Sequence, residues 1–378
     1  MNYTIISAWY NVREKENHEL KNDNDMKHFC TPEYYYKCLK LLLEKEFPII
    51  IFTEPSCEKK IWDLRPLHLH NLTRVIIKDY DELSMYCYFE KYCLNHLKSP
   101  IPNLDPLKFT PLYKFLVLQK TEFLKEGAMA NPFSTKQFAW MDTRLHSVYN
   151  MDINETNNIF ESIDPNRILI HQMAYTTKEE IEDKNNFYQY TRGKIAAGFF
   201  GGYFDKVIEF ANLCKQEIIS SINQNLALTD EMVYAYVVGK NPNLFNPYFG
   251  DYSEMLKNVL YVKNNAHLPV LFMYTSFNCG NHYYTSKVCD ALTKGLIENF
   301  FNLSLNDTFN VWYNNYVANY WLNNKQKCKN IINELYDMCL INNDMKSYID
   351  SKYNFFITNI SYLNDEELTQ KFKTLFLK

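Results

Sequence analysis

The chain has 378 residues, of which 47% are hydrophobic and 16% aromatic, so it can bury one large core or two moderate ones and is not intrinsically disordered. Its formal net charge is −4, from 40 basic and 44 acidic residues, and no long Lys/Arg run occurs, which argues against broad binding of nucleic acid. Ten cysteines without a Cys-x-x-Cys pair argue against a structural zinc site.

The amino-terminal sequence "MNYTIISAWYNVRE" contains neither a basic leader nor a long apolar run. The most apolar short stretch, "FPIIIF", has six residues, whereas a membrane-spanning helix needs about 20. We therefore expect a protein that lacks a transmembrane segment and resides in the cytoplasm, where cysteines stay reduced.

The first eighty residues alternate between strand and helix patterns. "YTIISAWY" predicts a strand from Tyr3 to Tyr10, and the polar segment after it predicts an exposed loop. "TPEYYYKCLKLLLEKEF" (31–47) predicts a helix, because Thr31 can cap it and Pro32 suits its first turn. Apolar runs of strand length predict two more strands, Pro48–Pro55 and Arg74–Lys78. This alternation indicates an α/β protein with a mostly parallel sheet.

The middle of the chain continues the alternation. Helical periodicity predicts helices from Tyr86 to Leu97 and from Leu112 to Met129. Asn131-Pro132 ends the second helix, because the residue before a proline avoids the α region. Three further runs predict strands: Phe138–Met141, Arg167–Met173 and "GKIAAGFF" (193–200).

The last third of the chain has a mainly helical sequence pattern. After about Asp251 the last strand signal is "LPVLFMY" (268–274), and long helically periodic segments follow it. We therefore predict an α/β domain over residues 1–255 and a mainly helical region over residues 256–378. One segment has the pattern of a tetratricopeptide-like hairpin, but one unit is not an array. The alternative is a set of helices that completes the first domain.

The stretch "QFAWMDTRLHSV" (137–148) places Asp142 directly after a predicted strand. Ligands of open α/β sheets bind beyond the carboxyl ends of the strands, where Mg²⁺ or Mn²⁺ takes one or two carboxylates together with substrate phosphates. Asp142 is therefore a candidate metal ligand; the alternative is an aspartate that only begins a turn. Asp251 and His282 are candidates to complete such a site, although their spacing is uninformative.

The segment Gly198–Gly202 ("GFFGG") lies in a region that holds four of the nine glycines. A helix with a regular apolar face follows it. The glycines allow either a ligand to approach the backbone or a tight strand-to-helix turn. The segment is neither a Rossmann G-x-G-x-x-G motif nor a P-loop.

The stretch "LALTDEMVYAYVV" (226–238) predicts a helix capped by Thr229, with Asp230 and Glu231 in its first turn. The two carboxylates can act on an acceptor hydroxyl, as general base or as electrostatic stabiliser; the alternative is a favourable helix start alone. Several cations flank predicted strand ends and are candidate phosphate partners: Arg65, Lys114, Lys120 and Arg144.

Five stretches in this order resemble the HtrL/YibB family: "TIISAWYNV", "PIIIFTEP", "NPFSTKQFAWMD", "AAGFFGG" and "LTDEMVYAYV". The resemblance covers about residues 1–255. The family is associated with bacterial surface-polysaccharide loci and with large DNA viruses, and it is similar to glycosyltransferases of the GT-A fold. The resemblance therefore implies a GT-A-like, Rossmann-like sheet flanked by helices and, for a viral protein, the host cytoplasm or the virion as its location.

The resemblance also implies that the opening strand, Ile5 to Trp9, lies under the nucleotide of a UDP- or GDP-linked sugar donor. Together with the cations at strand ends, the predicted donor-binding residues are Ser7, Ala8, Trp9, Arg65, Lys120, Trp140 and Asp142.

Trp140-Met141-Asp142 stands where GT-A enzymes carry Asp-x-Asp. Trp140 replaces the first acid, so Asp142 alone would reach Mn²⁺ or Mg²⁺, with His282 as the other candidate ligand. The "GFFGG" segment is similar to an acceptor-side turn, and its residues are the predicted acceptor site: Gly198, Phe199, Phe200, Gly201 and Gly202. Asp230 and Glu231 match the acidic pair near the acceptor and are the predicted catalytic residues.

The leading hypothesis is a metal-assisted glycosyltransferase that moves a sugar from a nucleotide-sugar to a hydroxyl of a glycan or glycoprotein. The rival hypothesis is a non-catalytic GT-A-like scaffold whose helical carboxyl-terminal region binds a partner, and the loss of the first Asp to Trp140 favours it. A third possibility is another nucleotide-dependent enzyme, since a fold does not fix a function.

Overall fold

The computed structural model describes most of the chain. The described residues are 1–12, 32–101, 110–145, 151–190, 193–262, 266–341, 343–350, 366, 369–370 and 373–374. Within them the chain forms two compact units, residues 1–260 and residues 261–378. The predicted loop after the first strand falls largely outside the described residues, and so does the Thr31 cap.

Seven strands of the first unit form one sheet in the order β3-β2-β1-β4-β6-β5-β7. The strands are β1 (Tyr3–Trp9), β2 (Ile49–Thr53), β3 (Thr73–Ile77), β4 (Gln137–Met141), β5 (Ile168–Gln172), β6 (Ile195–Tyr203) and β7 (Phe245–Tyr248). Strands β3, β2, β1 and β4 are parallel, β6 runs antiparallel to both β4 and β5, and β7 is parallel to β5. The predicted mostly parallel sheet flanked by helices is confirmed.

Both faces of the sheet are covered, because its strands carry apolar side chains on both sides. In β1, Ile6 points into one core and Ile5 into the other, and both are fully buried. The helices of this unit are α1 (Pro32–Leu43), α2 (Glu58–Leu64), α3 (Phe89–Lys98), α4 (Pro111–Leu118), α5 (Lys120–Ala130), α6 (Ile153–Glu161), α7 (Lys178–Glu182), α8 (Lys184–Phe187), α9 (Phe204–Asn223) and α10 (Asp230–Lys240). Helices α5, α9 and α10 contribute to the core on the Ile6 side, whereas α1, α2 and α6 contribute to the core on the Ile5 side.

The central strands fix where the site lies. β1 pairs in parallel with β2 on one side and with β4 on the other, and Ile6 lies opposite Trp140. The carboxyl ends of β1 and β4 therefore meet at the same edge of the sheet. The hydroxyl of Ser7 donates to the carbonyl of Met141 at 2.7 Å and fixes the two ends against each other.

The second unit is helical in its described part. Its helices are α11 (His267–Asn278), α12 (His282–Ile297), α13 (Leu305–Trp321), α14 (Lys325–Ile341) and α15 (Asn343–Asp350). Trp312, Val288 and Leu292 are buried between them. The predicted helical character of the carboxyl-terminal region is confirmed. No helix among the described residues is both long and apolar enough to cross a membrane.

Three details differ from the sequence prediction. "LPVLFMY" lies in helix α11 rather than in a strand, because a short apolar run does not distinguish the two. The helix predicted from Leu112 to Met129 is divided at Gln119, whose N–H bonds back to the carbonyl of Leu116 at 3.0 Å. The "GFFGG" segment lies inside strand β6 and is not a turn; the helix begins at Phe204.

Candidate active site

A cavity of about 260 Å³ opens at the carboxyl ends of β1 and β4. This is the edge at which open α/β sheets bind ligands. Its lining is mostly aromatic and apolar, with three charged side chains. The lining residues are Ala8, Trp9, Tyr10, Asn11, Val12, Tyr34, Tyr35, Tyr113, Leu116, Val117, Lys120, Phe123, Trp140, Asp142, Thr143, Arg144, Leu145 and Tyr252.

Asp142 is the first residue after β4, and its backbone N–H donates to the carbonyl of Gly198 at 2.8 Å. The indole N–H of Trp140 donates to its Oδ1 at 2.7 Å. The Nζ of Lys120 lies 3.1 Å from each of its two oxygens. The side chain is 29% exposed, so Asp142 faces the cavity while its two carboxylate oxygens are already hydrogen-bonded.

Lys120 begins helix α5, and its side chain is only 8% exposed. Besides Asp142, its Nζ contacts Asp230 at 2.8 Å and the carbonyl of Ala197 at 3.2 Å. Each of its three protons therefore has an acceptor. Burial by itself would lower the pKa of Lys120, but the charges of Asp142 and Asp230 outweigh it and raise the pKa, so the side chain stays protonated.

Asp230 and Glu231 begin helix α10, where Thr229 accepts a hydrogen bond from the N–H of Met232 at 3.3 Å. The predicted cap is therefore confirmed. The carboxylate of Glu231 accepts from the N–H of Ala197. Removal from water, strengthened by the charge of Asp230, raises the pKa of Glu231 to about 7. Glu231 is thus poised to exchange a proton near neutral pH.

The start of strand β6 holds these groups together. The carbonyl of Gly198 binds the N–H of Asp142, the carbonyl of Ala197 binds Lys120, and the N–H of Ala197 binds Glu231. Because β6 runs antiparallel to β4, its first residues lie at the carboxyl edge. The backbone groups of Ala197 and Gly198 thus position Lys120, Asp142 and Glu231. We call Lys120, Asp142 and Asp230 the lysine–aspartate cluster.

Four aromatic side chains of the lining, Trp9, Tyr34, Tyr35 and Tyr113, are together called the aromatic wall. The guanidinium of Arg144 lies over the ring of Tyr35, 5.0 Å from its centre. Burial raises the pKa of Tyr113, and the charges of Arg144 and Lys120 oppose that rise. On another part of the lining, the pKa of Tyr252 is raised by burial and by the charges of Asp142 and Glu231.

The residues present do not fit a divalent ion at Asp142. A metal would have to compete with Trp140 and Lys120 for the lone pairs of Asp142, because these two side chains donate to both oxygens and occupy most of the four lone-pair sites. A divalent ion about 4 Å from the ammonium would be repelled by about 8 kcal/mol at an effective dielectric constant of about 20. Among the described residues, no three His, Cys, Asp or Glu side chains form a group able to hold a metal.

The structure brings five predicted residues to one place: Ala8, Trp9, Lys120, Trp140 and Asp142 line the cavity. Neither member of the predicted catalytic pair is among the residues that line this cavity. Asp230 is adjacent to it, since it shares Lys120 with Asp142, and Glu231 lines a separate, smaller pocket. The other predicted residues lie elsewhere. Ser7 is buried beneath the site. His282 begins helix α12 of the second unit and stacks on Trp321 with ring centres 5.7 Å apart, and it does not line the cavity.

Arg65 was predicted to bind phosphate and instead has a structural position. It is 2% exposed and donates to Thr73 and to the carbonyls of Leu43, Lys45 and Phe47. These partners lie before β2 and at the beginning of β3, at the amino edge of the sheet. The guanidinium is therefore at the opposite edge from the cavity.

The predicted acceptor segment also needs correction. Phe199 and Phe200 are fully buried in the two cores. A Cβ on Gly201 would lie 2.5 Å from the carbonyl oxygen of Phe138, and one on Gly202 would lie 2.9 Å from Ile168. These glycines allow close packing of β6 between its neighbours. Only Gly198 stays beside the site, through its carbonyl.

The sequence interpretation missed the aromatic wall and gave Arg144 no more weight than three other cations. The available signal was "YYY" at 34–36, near the beginning of a helix that follows β1. That helix starts after residues outside the described ranges, so spacing alone could not place Tyr34 and Tyr35 beside the end of β1.

Comparison with known proteins gives a family and solved structures of similar fold. The HtrL_YibB family model, described as a bacterial protein of unknown function, matches residues 2–259. No curated protein matches the chain. Among the solved structures with a similar fold is the galactosyltransferase LgtC in complex with donor and acceptor sugar analogs, at 9% identity and a TM-score of 0.35. That similarity covers 66% of this chain and 73% of LgtC.

Proposed function

The chain belongs to the HtrL/YibB family, and we propose that it is a glycosyltransferase that moves a sugar from a UDP- or GDP-linked donor to a hydroxyl of a glycan or glycoprotein. One observation carries the proposal. A cavity at the carboxyl edge of the sheet combines an aromatic wall with Arg144 and with Asp142, which is held by the preformed lysine–aspartate cluster. This combination suits a ligand that is part planar ring, part anion and part polyhydroxyl.

The donor's parts match different sides of the cavity. A nucleobase would stack on the aromatic wall, where stacking on one aromatic side chain contributes about 1–3 kcal/mol. The diphosphate would lie near Arg144, which follows Asp142 by two residues. The sugar would lie between the diphosphate and the lysine–aspartate cluster, with the carboxylate of Asp142 as a hydrogen-bond acceptor for its hydroxyls. These placements use the residues that line the cavity.

The transfer breaks the bond between the anomeric carbon and the diphosphate oxygen and forms a bond from that carbon to the acceptor oxygen. The nucleoside diphosphate leaves with the electron pair, and the acceptor hydroxyl gives up a proton. Glu231 is the better proton acceptor of the two predicted catalytic acids, because its pKa is near 7. Asp230 is paired with Lys120 at 2.8 Å, so its role is to hold that lysine.

The test is a panel of nucleotide-sugars, each incubated with the protein and mixed glycan acceptors while free nucleotide is measured. We expect release with at least one donor, and a rate about 10²–10⁴ lower for Glu231→Gln, the usual contribution of a general base. The matched control is Glu209→Gln, which removes an exposed acid that pairs with Lys206 on helix α9; its rate should equal that of the unaltered protein.

Two outcomes would contradict the proposal. If no nucleotide-sugar is bound or consumed across the panel, the cavity does not take this ligand class. If donors bind but Glu231→Gln turns them over as fast as the unaltered protein, the catalytic role of Glu231 is wrong. Tight nucleotide binding without any turnover would instead favour the non-catalytic scaffold.

A further inference from the structure

We propose that this cavity binds the diphosphate of its donor without a divalent cation, and that Arg144 supplies the positive charge in its place. The inference rests on the proposed function and adds to it how the anionic part of the donor is held. Its basis is the set of contacts made by Asp142, Lys120 and Trp140 and the position of Arg144.

Trp140 precedes Asp142 by two positions and occupies the place that carries the first acid in an Asp-x-Asp motif. Its indole N–H points at the remaining carboxylate, 2.7 Å from Oδ1. The substitution therefore replaces a possible metal ligand by a proton donor. It also occupies a lone pair that a metal would need on Asp142.

Lys120 fills the space between the two aspartates. Its ammonium bridges Asp142 and Asp230 and also contacts the carbonyl of Ala197. The side chain is 8% exposed and has an acceptor for each proton, so the ammonium is fixed where a cation between the two aspartates would sit. A divalent ion could bind there only after displacing a buried, hydrogen-bonded lysine.

The balance of charge around the cavity singles out Arg144. Among the described lining residues, the charged side chains are Lys120, Asp142 and Arg144. Lys120 is already paired with Asp142 and Asp230, so Arg144 is the cation of the described lining that lies outside the lysine–aspartate cluster. Its guanidinium lies over the ring of Tyr35, 5.0 Å from its centre, and a planar guanidinium can bind phosphate oxygens through two parallel hydrogen bonds.

The experiment is isothermal titration calorimetry of the intact chain with UDP and with GDP, once in EDTA and once in Mn²⁺. We expect at least one nucleotide to bind, with dissociation constants in the two buffers that agree within about threefold. Arg144→Met should weaken binding by about tenfold or more in EDTA, and Mn²⁺ should not restore it. Arg144→Lys keeps the charge but loses the two-point contact, so its nucleotide affinity should lie between those of the unaltered protein and of Arg144→Met.

The matched control is Arg74→Met, at an exposed arginine of β3 that is not among the cavity residues. It should bind as the unaltered protein does. Circular dichroism and the unfolding temperature of each variant confirm that the fold is kept; Arg144 is partly exposed, so its replacement should not unfold the chain.

The possible failures are distinguishable. Binding that occurs in Mn²⁺ and is lost in EDTA would overturn this inference and leave the glycosyltransferase proposal standing. Binding in both buffers that Arg144→Met does not weaken would overturn the role of Arg144. If neither UDP nor GDP binds in either buffer, the proposed function and this inference are both overturned.

Discussion

Two buried cations of the first unit, Arg65 and Lys120, lie at opposite edges of one sheet. At the amino edge, Arg65 donates to Thr73 and to three backbone carbonyls. At the carboxyl edge, Lys120 contacts two carboxylates and one carbonyl beside a cavity. Both side chains are more than nine-tenths buried, and both have hydrogen-bond acceptors for their protons.

The comparison shows that burial of a cation does not identify a functional site. The partners of Arg65 are backbone groups of neighbouring elements, so that it joins the end of α1 to the beginning of two strands. Lys120 instead holds acidic side chains in place where a ligand can reach one of them. The edge of the sheet and the chemistry of the partners distinguish the two roles.

Replacing Lys120 should have the largest effect on stability. Lys120→Met leaves Asp142 and Asp230 close together without a counter-charge, and breaking a buried ion pair in this way costs about 3–5 kcal/mol. Urea unfolding measures the change. The control is Lys59→Met, which removes an exposed pair with Asp63 and should cost about 0–1 kcal/mol. Equal losses for the two variants would contradict the described role of Lys120.

Replacing Arg65 should lower the stability of the fold without changing nucleotide affinity. Arg65→Met leaves the carbonyls of Leu43, Lys45 and Phe47 without their donor, and we expect a loss of about 2–3 kcal/mol, since a buried acceptor left unpaired costs about 1–3 kcal/mol. Nucleotide affinity, measured by calorimetry, should stay the same. A loss of affinity in a correctly folded Arg65→Met protein would restore the phosphate-binding role that the structure argues against.

Two glycines of strand β6, Gly201 and Gly198, should differ in how much stability is lost when each is replaced by alanine. Gly201→Ala places a Cβ 2.5 Å from the backbone oxygen of Phe138, and overpacking of this kind costs about 1–3 kcal/mol. Gly198→Ala meets only the ends of two flexible side chains, at 3.1 and 3.2 Å, and should cost less. Thermal unfolding measures the loss of stability in each variant. A larger loss for Gly198→Ala than for Gly201→Ala would contradict the described register of β6.

The titration of Glu231 should make the stability of the protein depend on pH. Its folded pKa is about 7 against an ordinary value of 4.5, so the folded state holds a proton that the unfolded state releases. The resulting stabilisation is present below about pH 4.5 and is lost as the pH rises through about 7. Glu231→Gln lacks this dependence. Its stability relative to the unaltered protein should therefore rise between these pH values, by about 3 kcal/mol for the whole shift.

Urea unfolding at several pH values measures that difference. The buried histidines do not disturb the comparison, because both proteins contain them. A difference that is constant from pH 4 to pH 8 would show that the carboxyl of Glu231 titrates normally, and the case for Glu231 as a base at neutral pH would then fail.

Much of the sheet was predictable from the sequence, because its strands are short apolar runs between polar turns. The predicted strands overlap β1 to β6, with ends that differ by a few residues. Asp142 and Trp140 were also found, since the end of a strand can be recognised from a change in polarity. Their partner Lys120 was one of four candidate cations, and only the fold selects it.

The errors have physical causes. Arg65 lies near a strand, but it precedes β3, and local sequence does not say which edge of the sheet a flanking residue will reach. Gly201 and Gly202 looked like a turn because a helix follows; their small size is needed where β6 packs between β4 and β5. The hydrogen bonds that occupy Asp142 come from a neighbouring residue and from a distant helix, and only the former was visible in the sequence.

The most direct test of the central claim is a crystal structure of the protein with UDP bound, prepared in EDTA. We expect a base against the aromatic wall, a diphosphate beside Arg144, and Lys120 still bridging Asp142 and Asp230. UDP bound away from the carboxyl edge would contradict the claim. So would UDP that appears only with Mn²⁺, with the ion on Asp142 and Lys120 displaced.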